Sequence, residues 1–240
     1  MTAIPFKPLP AIKAMPTSGP IPFASVGFDL DGTLLDTSID LCHALNHALA
    51  LEGRPLVPTN EVQRLIGGGA AQMLRNALTQ SGGLVEPDRF KWLQGELVAF
   101  YADNIAGNTK FYPGAEAMLD TLASAGVGIA VATNKKEALA VRLFDELGIG
   151  SRFATVIGGD TLGPGKAKPA PDMIHEYTMR LGGGRTAFVG DTTFDVGAAR
   201  AAGVPVVAVS FGFNDLPPAD LGADAVIDHF DELADVLTRL

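Results

Sequence analysis

Cysteine is almost missing from this chain of 240 residues: Cys42 stands alone. No internal disulfide can form, and no thiolate metal centre can be completed. Such usage suits a reducing compartment, so the expected location is the cytoplasm. Basic tracts are missing as well. Lys and Arg number 18 against 27 Asp and Glu, giving a formal net charge of −9. Neither a nucleic-acid backbone nor an anionic membrane is therefore an expected partner, and a small anionic substrate would need a local cation to receive it. No apolar run approaches the roughly 18 residues of a membrane span. Prolines 5, 8, 10, 16, 20 and 22 break up the first 22 residues. They leave no apolar stretch of the kind a secretion leader needs, so 1–22 is expected to be an extended arm. No Gly-x-x-x-x-Gly-Lys-Ser/Thr occurs, which excludes a P-loop. The "IGGGA" at 66–70 lacks the third glycine of a dinucleotide fingerprint and follows no strand pattern.

What is present suits a globular protein, with 47% hydrophobic and 19% charged residues. The run at 24–29 is short and apolar, the mark of a buried strand. From Thr37 a helical period begins, in which Leu41, Leu45, Ala48 and Leu49 share a face. Further helical patterns cover about 70–80 and 87–105, so 37–111 is expected to be helical without strands. Beyond it the pattern alternates. Helices are expected at 112–126, 135–148, 171–182, 194–203 and 230–240, and buried strands at 127–133, 153–159, 186–191, 205–210 and 223–227. Strands alternating with single helices imply a parallel sheet covered on both faces. The expected fold class is α/β: a Rossmann-like core (23–36 and 112–240) with an α-helical cap (37–111) inserted after the first strand.

The polar residues collect where those strands end. "FDLDGTLLDT" (28–37) puts Asp29 and Asp31 at the end of the first. Thr133 and Asn134 end another, and Asp191 a third, with Asp195 four residues on. Lys168 lies in the loop "GKAKPAPD". Open α/β sheets bind ligands at the carboxyl ends of their strands. Any one of these aspartates could be a turn former or helix cap, and Thr133 and Asn134 could cap the helix beginning near Lys135. Jointly they need more explanation. Ionised carboxylates repel by about 4 kcal/mol per pair at about 4 Å and an effective dielectric of about 20. A hard cation such as Mg²⁺, together with a lysine, would compensate.

Other readings of the opening motif fail. An EF-hand loop starting at Asp29 needs glycine at its sixth position, which is Leu34. Aspartic proteases use Asp-Thr-Gly, whereas the order is Asp31-Gly32-Thr33. A glycosidase carboxylate pair has no need of Lys168 or Thr133.

"FDLDGTLLDT" (28–37), "VATNK" (131–135), Lys168-Pro169 and "VGDTTFDVGAARAAG" (189–203) follow one another in the order seen in the haloacid dehalogenase superfamily of phosphohydrolases, which the chain resembles over about 23–240. "RLIGGGAAQMLRNAL" (64–78), "FYPGAEAMLDTL" (111–122), "ATNKKEAL" (132–139) and "VIGGD" (156–160) are similar to its phosphoglycolate phosphatase subgroup. The resemblance implies a Mg²⁺-dependent phosphatase acting through an aspartyl-phosphate, on 2-phosphoglycolate or a similar small phosphate ester. Asp29 is then the nucleophile and Asp31 the general acid and base. Asp29, the Asp31 carbonyl and Asp191 hold the metal. Asp195 supports it through water or orients Lys168. Thr133, the Asn134 backbone and Lys168 bind phosphate, Gly32 admits the phosphate close to the backbone, and Thr33 fixes the turn. Asp31 argues for C–O–P over C–halogen cleavage, because a leaving halide needs no proton.

The basic "KRKP"-like run usual in that subgroup is replaced by "GPGKAKPAPD", with Lys166 a second candidate beside Lys168. Arg64 is the candidate contact for a substrate carboxylate. His43 and His47 have metal-ligand spacing but no third ligand nearby, so a solvated helix face is expected. The assembly is expected to be a monomer or a homodimer. The competing readings are a phosphosugar mutase and a non-catalytic protein on the same fold.

Overall fold

The buried apolar runs become the strands of one parallel sheet. The computed structural model describes residues 20–240, so the expected arm at 1–22 lies almost wholly outside the described residues. The elements are β1 (Ser25–Phe28), β2 (Leu35–Asp36), α1 (Ser38–Leu51), α2 (Thr59–Val62), α3 (Gly69–Gln80), α4 (Pro87–Asp103), β3 (Lys110–Phe111), α5 (Ala115–Ser124), β4 (Gly128–Ala132), α6 (Glu137–Leu147), β5 (Thr155–Ile157), α7 (Asp172–Arg180), β6 (Thr186–Gly190), α8 (Thr193–Ala202), β7 (Val206–Val209), β8 (Ala225–Ile227) and α9 (Leu233–Arg239).

The main sheet has the order β5-β4-β1-β6-β7-β8, with parallel pairing throughout. From β1 the chain adds β4 and β5 on one side, then β6, β7 and β8 on the other. The direction of winding reverses at β1, where an open α/β sheet leaves a crevice beyond its strand ends. The aspartates that follow β1 sit at that crevice.

Strand side chains alternate between the two faces. Val26, Phe28, Ile129, Val131, Val189 and Val207 meet α5, α6 and α9, and the same apolar cluster continues into the insert through Leu41, Leu45, Leu74 and Leu97. Ala130, Ala132, Phe188 and Ala208 face Met173, Ile174 and Tyr177 of α7 and Val196 and Ala199 of α8. On this second face Gly27 has no side chain, and the Tyr177 ring fills the space. A Cβ on Gly27 would lie 2.5 Å from that ring. The Tyr177 hydroxyl donates to the Ala187 carbonyl at 3.0 Å and accepts from Thr186 Oγ1 at 3.0 Å.

The helices of the insert fall between β2 and β3, which pair antiparallel through Leu35↔Phe111 and Asp36↔Lys110. This corrects the expectation of an all-helical 37–111. Two residues are too few to show alternation, so β3 left no pattern to read. The short α2 was also not expected. The helix expected over 112–126 starts only at Ala115, because Gly114 takes φ +81°, leaving Pro113 ahead of the helix. Beside the ribbon the buried Asp40 of α1 accepts from Asn108 N (2.9 Å), Asn108 Nδ2 (2.8 Å) and Thr109 Oγ1 (2.8 Å). The entry and exit of the insert are thereby tied together. Among the described residues no helix is long and apolar enough to cross a membrane.

Gly27→Ala tests the packing beneath β1. Tyr177 must shift to admit the methyl group, and the expected loss is about 1–3 kcal/mol, read as a lowered urea midpoint. An unchanged midpoint would contradict the fit described.

Candidate active site

β1 ends at Phe28, but pairing continues for one more residue, with Asp29 N donating to the Val189 carbonyl at 2.9 Å. Asp29 is thus held at the end of the central strand, between the ends of β4 and β6. Thr133 follows β4, and Asp191 follows β6. Asp29, Asp191 and Asp195 are buried, each offering an oxygen within 4.8 Å of the others.

One buried cation offsets them. Lys168 Nζ lies 2.6 Å from Asp195 Oδ1 and 2.8 Å from Asp29 Oδ1. Burial alone would lower the Lys168 pKa, but Asp195 and then Asp29 outweigh it and push the value up to about 12. Burial also raises Asp29 to about 6; Lys168 opposes the shift and Asp195 adds to it. Asp191 is raised too, by burial first and then by Asp195 and Asp29.

The three acids are not equivalent. Asp195 spends both oxygens within the protein. Oδ1 takes the Lys168 ammonium, while Oδ2 accepts from Asp191 N (3.1 Å), Thr192 N (2.9 Å) and Thr192 Oγ1 (2.7 Å). It closes a capping box at the start of α8. Of its two expected roles, this arrangement matches orienting Lys168. Asp191 accepts one hydrogen bond per oxygen, from Thr33 Oγ1 at 2.9 Å and from Phe213 N at 2.7 Å, so each oxygen keeps a lone pair. Asp29 Oδ1 is buried and accepts no hydrogen bond of good geometry, although Lys168 stands beside it. Hard oxygen donors with spare lone pairs on Asp29 and Asp191 fit a divalent cation.

Gly32 has φ +85°, and a Cβ there would lie 2.3 Å from Asp191 Oδ2 and 2.8 Å from the Phe213 ring. The position needs glycine both for its backbone and for the approach to Asp191. Thr33, expected to fix the turn, also donates to a site carboxylate.

Asp31 points elsewhere. Its Oδ1 accepts from Lys135 Nζ at 2.8 Å and from Thr37 Oγ1 at 2.8 Å. Lys135 belongs to the quoted "VATNK", but nothing in the motif reading gave it a role. A cue was available: Lys135 and Lys136 stand just before α6, and a helix N-terminus disfavours cations. Thr133 Oγ1 accepts from Lys135 N at 3.2 Å, which leaves its own proton to give. Asn134 Nδ2 donates to the Lys168 carbonyl at 3.1 Å.

A cavity of about 260 Å³ lies between these loops and the insert. Asp29, Asp31, Thr133 and Asn134 line it from the core, and the Gly67–Gly68–Gly69 turn lines it from the insert. That turn, the "IGGGA" of the sequence, comes close to the core at two points. Cβ atoms on Gly69 and Gly67 would lie 3.2 Å from the Asn134 carbonyl and from Thr192 Cγ2. Arg64 is exposed and lies outside the cavity lining. Lys166 is paired with Asp172 at the surface. His43 is exposed, and His47 stacks on Phe100 with Glu96 Oε2 3.8 Å from its Nε2; among the described residues neither histidine joins a group of three potential metal ligands.

A family model described as haloacid dehalogenase-like hydrolase matches residues 26–209. The phosphoglycolate phosphatase of Agrobacterium fabrum is 40% identical over 215 residues, covering 88% of this chain and 90% of that protein. That of Mesorhizobium japonicum is 40% identical over 222 residues, covering 88% and 95%. The crystal structure of a predicted phosphoglycolate phosphatase from Haemophilus somnus is similar with a TM-score of 0.82 at 29% identity, covering 91% of this chain and 99% of that one. The chain belongs to the haloacid dehalogenase-like hydrolases. Within that family it is an enzyme of the phosphatase type, similar over most of its length to phosphoglycolate phosphatases.

Asp195→Ala strips Lys168 of its closer partner and opens the α8 cap. Breaking a buried pair of this kind costs about 3–5 kcal/mol, and the expected result is a matching fall in unfolding free energy. A loss below about 1 kcal/mol, the range of an exposed pair, would contradict the assignment.

Proposed function

We propose that this enzyme hydrolyses 2-phosphoglycolate or a similarly small phosphomonoester, using Mg²⁺ and an aspartyl-phosphate intermediate. The observation that carries the reading is Asp29. This buried carboxylate at the end of the central strand lines the cavity, and its Oδ1 accepts no hydrogen bond of good geometry although Lys168 Nζ lies 2.8 Å away.

In this mechanism an Asp29 oxygen attacks phosphorus as the bond to the ester oxygen breaks. Asp31 gives the leaving alkoxide a proton. Asp31 then takes a proton from water as the water oxygen attacks phosphorus and frees Asp29, leaving inorganic phosphate. Splitting the hydrolysis in this way replaces one hard step with two easier ones. Lys168, Thr133 and the Asn134 backbone receive the phosphate oxygens and offset the charge on them. Gly32 lets the backbone come close to the phosphate. Asp29, Asp191 and the Asp31 carbonyl would hold Mg²⁺, which supplies further charge neutralisation at the phosphoryl group. Asp195 acts as a positioning residue for Lys168. The insert, residues 37–111, serves as a cap that keeps bulk water from the site and bounds the substrate.

Asp29→Asn should lower phosphate release from 2-phosphoglycolate by at least about 10³-fold. Unchanged release would overturn the assignment, and phosphate moved between hydroxyls without net release would favour a mutase. The cation can be tested without turnover. Asp29 ionises in the folded protein only above about pH 6. Because this pKa is raised, ionisation without a cation costs stability as pH rises through that value. Saturating MgCl₂ at about pH 7.5 should therefore raise the melting temperature by about 5–10 °C over EDTA. The gain should fade as pH drops below about 6, where Asp29 takes up a proton. A gain independent of pH would sink this assignment of the ligands.

A further inference from the structure

Lys135 is a buried cation that the proposed hydrolysis does not use. Its side chain is 5% exposed, yet it lines the cavity together with Asp31 and Tyr101. Its ammonium carries three donors. Among the described residues one goes to Asp31 Oδ1 at 2.8 Å and one to the Tyr101 hydroxyl at 3.0 Å. The third meets no acceptor among the described residues. Lys135 Nζ also lies over the Tyr101 ring, 4.4 Å from its centroid.

Tyr101 comes from the other wall. On α4 the residues 94, 97, 98 and 101 follow helical spacing, and all four line the cavity. Leu97 and Val98 make this face apolar, while Gln94 and the Tyr101 hydroxyl are its polar points. That hydroxyl accepts from Lys135, and its own proton has no acceptor among the described residues. Burial pushes the Tyr101 pKa up to about 12, so it remains a donor. Burial would lower the Lys135 pKa, but Asp31 and Tyr101 together outweigh it and keep the lysine cationic. Two donors, one from the core and one from the insert, thus converge on the cavity beside the acids. Lys136 and Asp160 also line it, but both are exposed, and Asp160 accepts from Glu137 N.

We propose that Lys135 and the Tyr101 hydroxyl together bind a carboxylate carried by the substrate, which selects short phosphorylated carboxylic acids over neutral phosphate esters of the same size. This rests on the reading of the site as a small-phosphomonoester hydrolase. The phosphate already has Lys168, so a further buried cation that lines the cavity itself matches a second anionic group. An ester without that group would leave the third Lys135 donor unmet in a desolvated place. Because the two adjoining donors come one from the core and one from the insert, one carboxylate would touch both.

The test compares 2-phosphoglycolate with ethyl phosphate, which has the same chain length and no carboxylate. The quantity read is the ratio of their kcat/KM values in wild type, Lys135→Met and Tyr101→Phe. Wild type should favour 2-phosphoglycolate. Lys135→Met should lower the ratio by roughly 10–100-fold and Tyr101→Phe by roughly 3–10-fold, the latter mainly through KM. Tyr101→Phe keeps the ring and decides the matter alone if Lys135→Met does not fold. If wild type keeps its preference and both variants keep the ratio within about twofold, Lys135 merely positions Asp31, and this proposal alone falls. If wild type hydrolyses both esters without preference, the choice of substrate falls as well.

Discussion

The Lys168 ammonium is the point on which the site depends. It stands between Asp29 and Asp195, on two different loops of the sheet edge, and all three groups are buried. Without it, three carboxylates would meet in a low-dielectric pocket. With it, one of them is neutralised and becomes scaffolding, and two retain lone pairs for a ligand. The division of labour among Asp29, Asp191 and Asp195 follows from where the lysine places its donors.

The sheet makes that meeting possible. Because β1 is central and its neighbours β4 and β6 are parallel to it, three strand ends open on one crevice. Gly32 lets the loop after β1 fold against Asp191, and the Asp195 capping box holds the first turn of α8 in place. Each device is local, and each serves a group contributed by another strand. This is why the acids can stand so close without distorting the sheet: their positions are set by backbone hydrogen bonds rather than by one another.

Much of this was legible in the sequence. Buried strands announce themselves as short apolar runs, and the polar residues just beyond them mark the sheet edge, so the spacing alone groups Asp29, Asp31, Thr133, Asp191 and Lys168 at one edge. Other features were not legible, for physical reasons. Each strand of the β2–β3 ribbon spans a single period of strand alternation, too little to form a pattern. The contact between Lys135 and Tyr101 joins residues 34 apart, and no local pattern encodes it. Gly27 looks like any strand glycine until Tyr177 is seen against it. Arg64 precedes a glycine turn that faces the cavity, but the arginine itself does not line it. Spacing shows which residues lie near one another along the chain, whereas orientation is settled by packing.

The ribbon at Leu35–Asp36 and Lys110–Phe111, closed by Asp40, has an evolutionary consequence. The insert leaves the sheet and returns to it through one narrow neck, so its helices can be lengthened, exchanged or reshaped without touching the register of the six strands. Chemistry and substrate choice can then change at separate rates. A lineage could rebuild the insert while inheriting the strand-end acids and their lysine unaltered.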